Sequence, residues 1–455
     1  MDYEAMRGAP SSGIERRDGE AGRRSRRSLR GIVLFGMAAI GCVSGDLEPT
    51  PIRGADFETT SEEHERQRAA EKYHAAIVEA GLVLEDPELE SYLQARLDEL
   101  LVEVGMDRGA VRVAIIKNPY MNAAMLANGI MHLHTGILAR IENEAQLVTL
   151  LGHELAHYHL RHGLKEIVYR GREKSKVLWS RIALSVLLLP TGLSALPFAG
   201  IERDGLEAIV APQMAGYSRD LETEADRFGF RLMTESGYDP GESSRFFDLL
   251  IQDDEALRAE INLEYGHTRK DPYYYASHPD LVDRLALYDG LRRALRESCD
   301  AEAHDAVRDG GTRSGRAGCG SVGSKVGEER YMARIGNAVI SSAQDSLRMG
   351  RRLGAIRVLE RLVRFQPASA EAWALLGEIR SGRGSRKEDL SRAVSELEEA
   401  VRLDPGLAKA HRELGLLYRS LGRNAEANAS FARYLDVLPD AADRLIVEQL
   451  LRESR

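Results

Sequence analysis

The segment HELAH, residues 153–157, constrains this chain more than any other. On an α-helix, residues four apart lie on one face, so His153 and His157 can offer their imidazoles to a single metal ion. Glu154 lies beside them, where it can accept a proton from an attacking water. Apolar residues surround the motif and no proline interrupts it, which predicts a helix. At about 100° per residue, we expect His159 and His162 to point away from the metal face.

A second segment, SRDLETEAD at residues 218–226, offers a third ligand. Glu222 and Asp226 have i, i+4 spacing on a second predicted helix. Glu222 can bind zinc, and Asp226 can accept a hydrogen bond from the free ring nitrogen of a ligand histidine. Glu224 is expected to face about 200° away from Glu222. Three protein ligands would leave one position open, as at catalytic zinc sites, although taken alone the segment also suits an ordinary charged helix face.

Together the two segments resemble the HExxH…SRxxExxAD pattern of a metallopeptidase family that includes Ste-type CAAX prenyl proteases, HtpX, the mitochondrial Oma protease and BepA. The similarity runs from residue 82 to the region of Asp289, and it includes NA at 122–123, TGIL at 135–138, SHP at 277–279 and Arg284. It implies an α+β, mainly α fold: a helical, gluzincin-like domain with a small β-sheet. It also implies one zinc ion, held by His153, His157 and Glu222.

Residues 1–42 are predicted to be an export signal rather than part of the fold. Five arginines between residues 23 and 30 precede an apolar run that ends in AIGC, residues 39–42. That ending resembles a bacterial lipobox with Cys42 as the lipidated residue, and SRRSL at 25–29 resembles a twin-arginine signal. A short membrane anchor or a core segment is the alternative. Residues 43–62 would then be a tether, which predicts a periplasm-facing lipoprotein, with sorting to the outer membrane.

Residues 63–298 are assigned to the metallopeptidase domain. VRVAII at 111–116 predicts a strand, and Asn128-Gly129 predicts a hairpin turn between two apolar stretches. His132 and His134 alternate with apolar residues, so we expect them on a polar strand face rather than at the metal. In the resembled family this edge strand pairs with the extended substrate.

Three features of the sequence leave alternatives open. The uncharged stretch 182–200 contains two prolines and could be an apolar lid or a membrane segment. His278 could lie in a loop that caps a helix, or, as BepA-like relatives suggest, act as a regulatory fourth zinc ligand. Cys299 and Cys319 could form a disulfide in an oxidising compartment or remain free thiols.

The carboxyl-terminal region has a repeating pattern. Residues 299–329 are interpreted from composition as a linker, and residues 330–455 as tetratricopeptide repeats. Gly350, Ala355, Leu359 and Pro367 match four residues 72 positions later, and Trp373-x2-Leu376-Gly377 resembles the repeat signature. The sequence therefore predicts an α-solenoid, whose concave surface can bind protein partners.

The sequence as a whole predicts a zinc-dependent endopeptidase of the bacterial cell envelope that acts on misfolded or stalled outer-membrane proteins. Glu154 is the expected base, and Asp226 orients a ligand histidine. A non-proteolytic assembly factor that binds clients through its repeats is the main alternative, and a prenyl-peptide protease a weaker one. The net charge of −9, with no basic stripe, argues against nucleic acid as a partner.

Overall fold

The computed structural model describes residues 60–166, 217–265, 281–308, 323–382 and 384–453, all within one compact unit, Pro49–Arg455. Cys42, the stretch 182–200, His278 and Cys319 lie outside the described residues. The strands are β1 Arg112–Ile116, β2 Ala123–Met125 and β3 Ile130–His134. The helices are α1 Ser61–Glu79, α2 Pro87–Glu103, α3 Thr135–Leu138, α4 Glu144–His159, α5 Arg219–Glu235, α6 Gly241–Tyr265, α7 Leu281–Arg308, α8 Glu328–Met332, α9 Gly336–Arg348, α10 Arg352–Phe365, α11 Ala370–Arg380, α12 Lys387–Leu403, α13 Ala408–Ser420, α14 Asn424–Val437 and α15 Arg444–Glu453.

Side chains at three helix starts satisfy backbone amides that would otherwise lack partners. Thr60 and Glu63 form a reciprocal capping box at α1. Asp86 accepts from the amide of Leu89 at the start of α2. Asn143 accepts from the amide of Gln146 at 2.9 Å and so fixes where α4 begins. The expected helix across the HELAH segment is confirmed, and it starts at Glu144, nine residues before His153.

The sheet has the order β1-β3-β2. The predicted hairpin is confirmed: β2 pairs antiparallel with β3, and Gly129 in the turn has a φ of +80°. The expectation that β3 is an edge strand is wrong, because β1 pairs parallel with its other side. The backbone groups on both sides of β3 therefore form hydrogen bonds within the sheet. Within the described sheet, β2 pairs with β3 alone.

The polar face of β3 is covered by α1 instead of facing water. His132 is 2% exposed, and its Nε2 lies 3.0 Å from Nδ1 of His74 on α1. Burial lowers the pKa of His132 to about 3 and that of His134 to about 4. Within the described ranges, neither histidine belongs to a group of residues that could hold a metal.

The repeats share a core with the domain that precedes them. One cluster of buried apolar side chains extends from α2 and the sheet through α4 to α7 and on to α11. Residues 299–308 continue helix α7, and Val326 accepts a hydrogen bond from the amide of Ala145 at 3.1 Å. The structure therefore differs from the predicted linker 299–329 at both ends.

The remaining repeat helices pack in consecutive pairs, α9–α10, α11–α12 and α13–α14, followed by α15. These pairs agree with the predicted α-solenoid. A second apolar cluster joins α12 to α15. Cys299 is disulfide-bonded, while its expected partner Cys319 is not among the described residues. Within the described ranges, no helix combines the length and apolar character needed to cross a membrane.

Candidate metal centre

The two helices that carry the predicted ligands cross at a pair of glycines. A Cβ atom on Gly152 of α4 would lie 3.2 Å from the Cα of Gly229 on α5. A Cβ atom on Gly229 would lie 2.8 Å from the backbone nitrogen of His153, closer than real Cβ atoms approach. The two backbones can touch only because neither residue has a side chain. This contact brings the first turn of α5 next to the histidines of α4.

The crossing places three potential ligands together. His153 Nε2 lies 3.0 Å from His157 Nε2, and the Glu222 carboxylate lies 3.5 Å and 3.6 Å from these two atoms. All three ligand atoms lie within 4.8 Å of one another, and each residue is about 3% exposed. Two imidazole nitrogens and one carboxylate oxygen are a donor set that suits zinc. Elsewhere in the described ranges, no group of three or more such residues could hold a metal.

Asp226 lies within hydrogen-bonding distance of the first histidine. Its Oδ1 lies 2.9 Å from Nδ1 of His153, and Arg284 from α7 donates to both carboxylate oxygens at 2.6 and 2.9 Å. The hydroxyl of Tyr288 donates to the same carboxylate at 3.1 Å. Burial alone would raise the pKa of Asp226, but Arg284 and His153 outweigh it and hold the pKa well below its usual range. Asp226 therefore stays ionised and able to accept.

The second histidine has a different partner, which the sequence reasoning missed. Nδ1 of His157 lies 2.9 Å from Nδ1 of His162, and Nε2 of His162 lies 3.2 Å from Glu224. Burial lowers the pKa of His162 to about 4, against the opposing effect of Glu224. The ring of Tyr217 stacks on His157 with centroids 4.0 Å apart. The expectation that His162 points away from the metal face is therefore wrong.

The expectation for His162 fails because of the backbone conformation just before it. Helix α4 ends at His159, and Arg161 has a φ of +56°, in the left-handed region that non-glycine residues seldom adopt. This reverses the chain, and the helical residues 162–166 return toward His157. Arg161 is held by an ion pair with Glu63 at the start of α1. The rule of 100° per residue does not apply across such a turn.

One signal in the sequence could have found part of this arrangement. Gly152 adjoins His153 in a predicted helix, and Gly229 lies three residues after the second motif, so two helix-interior glycines indicate a close crossing. His162 and Glu224 each lie near a motif and suit a hydrogen bond, but nothing local reveals the reversal at Arg161. Tyr217 directly precedes the second motif, and no pattern distinguishes it.

Comparison with known proteins identifies a family for part of the chain. Residues 87–291 match the model of peptidase family M48. Residues 87–291 are a peptidase family M48 domain. This M48 domain includes both ligand-bearing helices, the residues that support them and the first part of α7.

Two curated relatives each match less than half of the chain. The β-barrel assembly-enhancing protease of Yersinia pestis is 26% identical over 204 residues, which cover 44% of this chain and 38% of that protein. The mitochondrial metalloendopeptidase OMA1 of Bos taurus is 29% identical over 201 residues, 41% of this chain and 34% of that protein. The chain thus spans well under half the length of these curated relatives.

A solved structure, the first tetratricopeptide domain of Spaghetti (RPAP3) bound to an HSP90 peptide, is also similar to part of the chain. It has a TM-score of 0.24 and 18% identity, and the match covers 26% of this chain and 89% of that one.

Proposed function

We propose that this chain is a zinc-dependent endopeptidase of the bacterial cell envelope that hydrolyses misfolded or stalled outer-membrane proteins. The observation that carries the proposal is the convergence of three buried ligands beside Glu154, itself 3% exposed on the same helix. A purely structural metal site does not require a base at that position. The M48 match and the names of the relatives support the same chemistry.

His153, His157 and Glu222 would hold the zinc ion. Zinc bound there would polarise the scissile carbonyl and lower the pKa of the attacking water. Glu154 would accept the proton of that water and pass it to the leaving amine. Asp226 accepts from Nδ1–H of His153, which leaves Nε2 free as the ligand atom.

The substrate is proposed to lie along β2 as an added strand. β2 pairs with β3 on one side, and it packs against α4, which carries the ligand histidines. An extended peptide that pairs with the other side would run close to the site. This assigns to β2 the role that the sequence suggested for β3.

Location and partners also belong to the proposal. A lipid anchor at Cys42 would hold the enzyme at the membrane, on the periplasmic side, and the repeats would bind protein clients. A cavity of about 480 Å³ between α12, α13 and α14 offers one such surface, lined by residues that include His411, Tyr418 and Arg433. The same cavity favours the second candidate function, a non-proteolytic assembly factor.

The test compares cleavage of an unfolded outer-membrane β-barrel protein by the zinc-loaded full-length chain and by its Glu154→Gln variant. We expect the parent to cleave and the variant to lose roughly 10²–10⁴-fold in rate, because it lacks the base. Glu235→Gln, an exposed glutamate of α5, is the matched control and should cleave like the parent.

Equal cleavage by the parent and Glu154→Gln would contradict the proposed base. No cleavage by either protein, with zinc bound to both, would favour the assembly factor or a latent enzyme. His278→Ala separates these two, because a latent enzyme that is held by a fourth ligand should gain activity when that ligand is removed.

A further inference from the structure

The side of the metal centre behind His157 contains two residues without an assigned role, His162 and Glu224. Nδ1 of His157 lies 2.9 Å from Nδ1 of His162, and the two rings meet edge to face at 76°. His162 has 0% exposure, and its other ring nitrogen lies 3.2 Å from Oε2 of Glu224. The contact therefore runs from a ligand histidine through a buried imidazole to a carboxylate.

If Nε2 of His157 binds a metal, the hydrogen bonds along this contact can run in only one direction. The other nitrogen of that ring then carries the hydrogen and donates to Nδ1 of His162. A neutral imidazole accepts at one nitrogen and donates from the other, so Nε2–H of His162 donates to the Glu224 carboxylate. This order gives every nitrogen between His157 Nδ1 and Glu224 a donor or acceptor role that matches its neighbour.

We propose that His162 and Glu224 are positioning residues of the metal centre, which orient the His157 ring and strengthen it as a ligand. The inference rests on the proposed zinc site. Hydrogen bonds to the second nitrogen of a ligand histidine fix its tautomer and ring angle, and they raise its basicity. On this view the centre has two such supports: Asp226 acts directly on His153, and Glu224 acts on His157 through His162.

The surrounding structure holds His162 in this place. The left-handed residue Arg161 turns the chain back toward α4 and is itself paired with Glu63. A bulky residue in that conformation stores strain, which other contacts must offset. On its far side, Glu224 is bound by Lys165 at 3.1 Å, three residues after His162. Glu63 of α1 thus holds the turn that precedes this histidine, and Glu224 of α5 contacts both its ring and Lys165.

The test is the zinc dissociation constant of the full-length chain, measured by competition with a chelator. We expect His162→Ala to weaken zinc binding roughly 10–100-fold, the usual effect of losing such a support. His162→Asn keeps an acceptor near the position of Nδ1 and should recover most of the affinity. Glu224→Gln keeps an acceptor for Nε2–H but loses the charge, so its effect should be smaller than that of His162→Ala.

The matched control is His159→Ala. His159 is also a buried histidine at the end of α4, but its ring packs against Phe228 with centroids 5.4 Å apart. It should bind zinc like the wild type. The visible spectrum of the cobalt-loaded protein adds a second readout, because a displaced His157 changes the ligand field, and circular dichroism checks that each variant is folded.

The inference would be wrong if folded His162→Ala had the zinc affinity and the cobalt spectrum of the wild type. It would also be wrong if His159→Ala lost as much zinc affinity as His162→Ala. If His162→Ala does not fold, Glu224→Gln decides the matter, because its side chain is 43% exposed and the substitution leaves the core intact. Wild-type protein that binds no zinc would instead contradict the proposed function, so the two failures are distinguishable.

Discussion

The two ligand histidines receive opposite kinds of support. His153 hydrogen-bonds directly to Asp226, which has 0% exposure and is bound in turn by Arg284 and Tyr288. Nδ1 of His157 contacts His162, which in turn contacts the carboxylate of Glu224, and the Glu224 side chain is 43% exposed to water. One half of the centre is therefore a closed, buried network, and the other half opens to solvent.

This difference predicts which substitutions change the stability of the fold and which change the affinity for the metal. In a buried network each polar group depends on all the others, so the loss of one leaves another without compensation in a low dielectric. A carboxylate at the surface is compensated by water when its partner is removed. Changes on the Asp226 side should therefore reduce the stability of the fold, whereas changes on the Glu224 side should act mainly on the metal.

The substitution expected to have the largest effect on stability is Arg284→Met. Arg284 is 6% exposed and donates to Asp226 at two atoms, so the change leaves a buried carboxylate without its cation. We expect the free energy of unfolding in the absence of metal to fall by about 3–5 kcal/mol. Urea unfolding measures it. Arg245→Met, whose side chain is 67% exposed beside Glu242, is the control and should lose less than about 1 kcal/mol. Equal losses in the two variants would mean that burial does not distinguish them.

The comparison can be extended to a buried histidine outside the candidate metal centre, His132, which hydrogen-bonds another imidazole. His132 contacts His74, with Tyr73 and His134 nearby, and Arg112 faces His74. Burial lowers its pKa from 6.5 to about 3. The unfolded chain therefore binds a proton below pH 6.5 that the folded protein does not, and stability is lost as the pH falls from 6.5 toward 3.

We expect this histidine to contribute roughly 1.4 kcal/mol of lost stability per pH unit in that window. His132→Gln should flatten the dependence of the unfolding free energy on pH by about that slope, measured by urea unfolding from pH 7 to pH 4. His64→Gln, on the exposed face of α1, should leave the slope unchanged. A slope unaffected by His132→Gln would show that the buried pair accepts a proton without unfolding.

The parts of the centre that the sequence predicts are those fixed by local spacing. His153 and His157 lie on one helix, and Glu222 and Asp226 lie on another, so each i, i+4 pair needs only a helix to be correct. The hydrogen bond from His153 to Asp226 follows because one face of α5 packs against α4. The hairpin between β2 and β3 is equally local, since a single turn at Gly129 defines it.

The parts that the sequence does not predict depend on contacts between distant residues. The reversal at Arg161 is held by Glu63, 98 residues earlier, and it alone turns His162 toward His157. β3 lies in the centre of the sheet because it pairs in parallel with β1, and no turn motif in the sequence indicates that pairing. Glu144 is likewise an ordinary helix-start residue in sequence, yet it is buried between Tyr92, Arg96 and Arg330, which come from two distant helices.

The smallest expected effect comes from Lys165→Met, which removes the cation beside Glu224. Lys165 pairs with Glu224 at 3.1 Å, and the two side chains are 24% and 43% exposed. Water and salt can compensate such a pair, so we expect the unfolding free energy to fall by less than about 1 kcal/mol. Lys409→Met, which removes a similar exposed pair with Glu378 among the repeats, should give the same result. A loss of about 3 kcal/mol in Lys165→Met alone would mean that Glu224 behaves as a buried charge. The two histidines would then rest on equally closed networks.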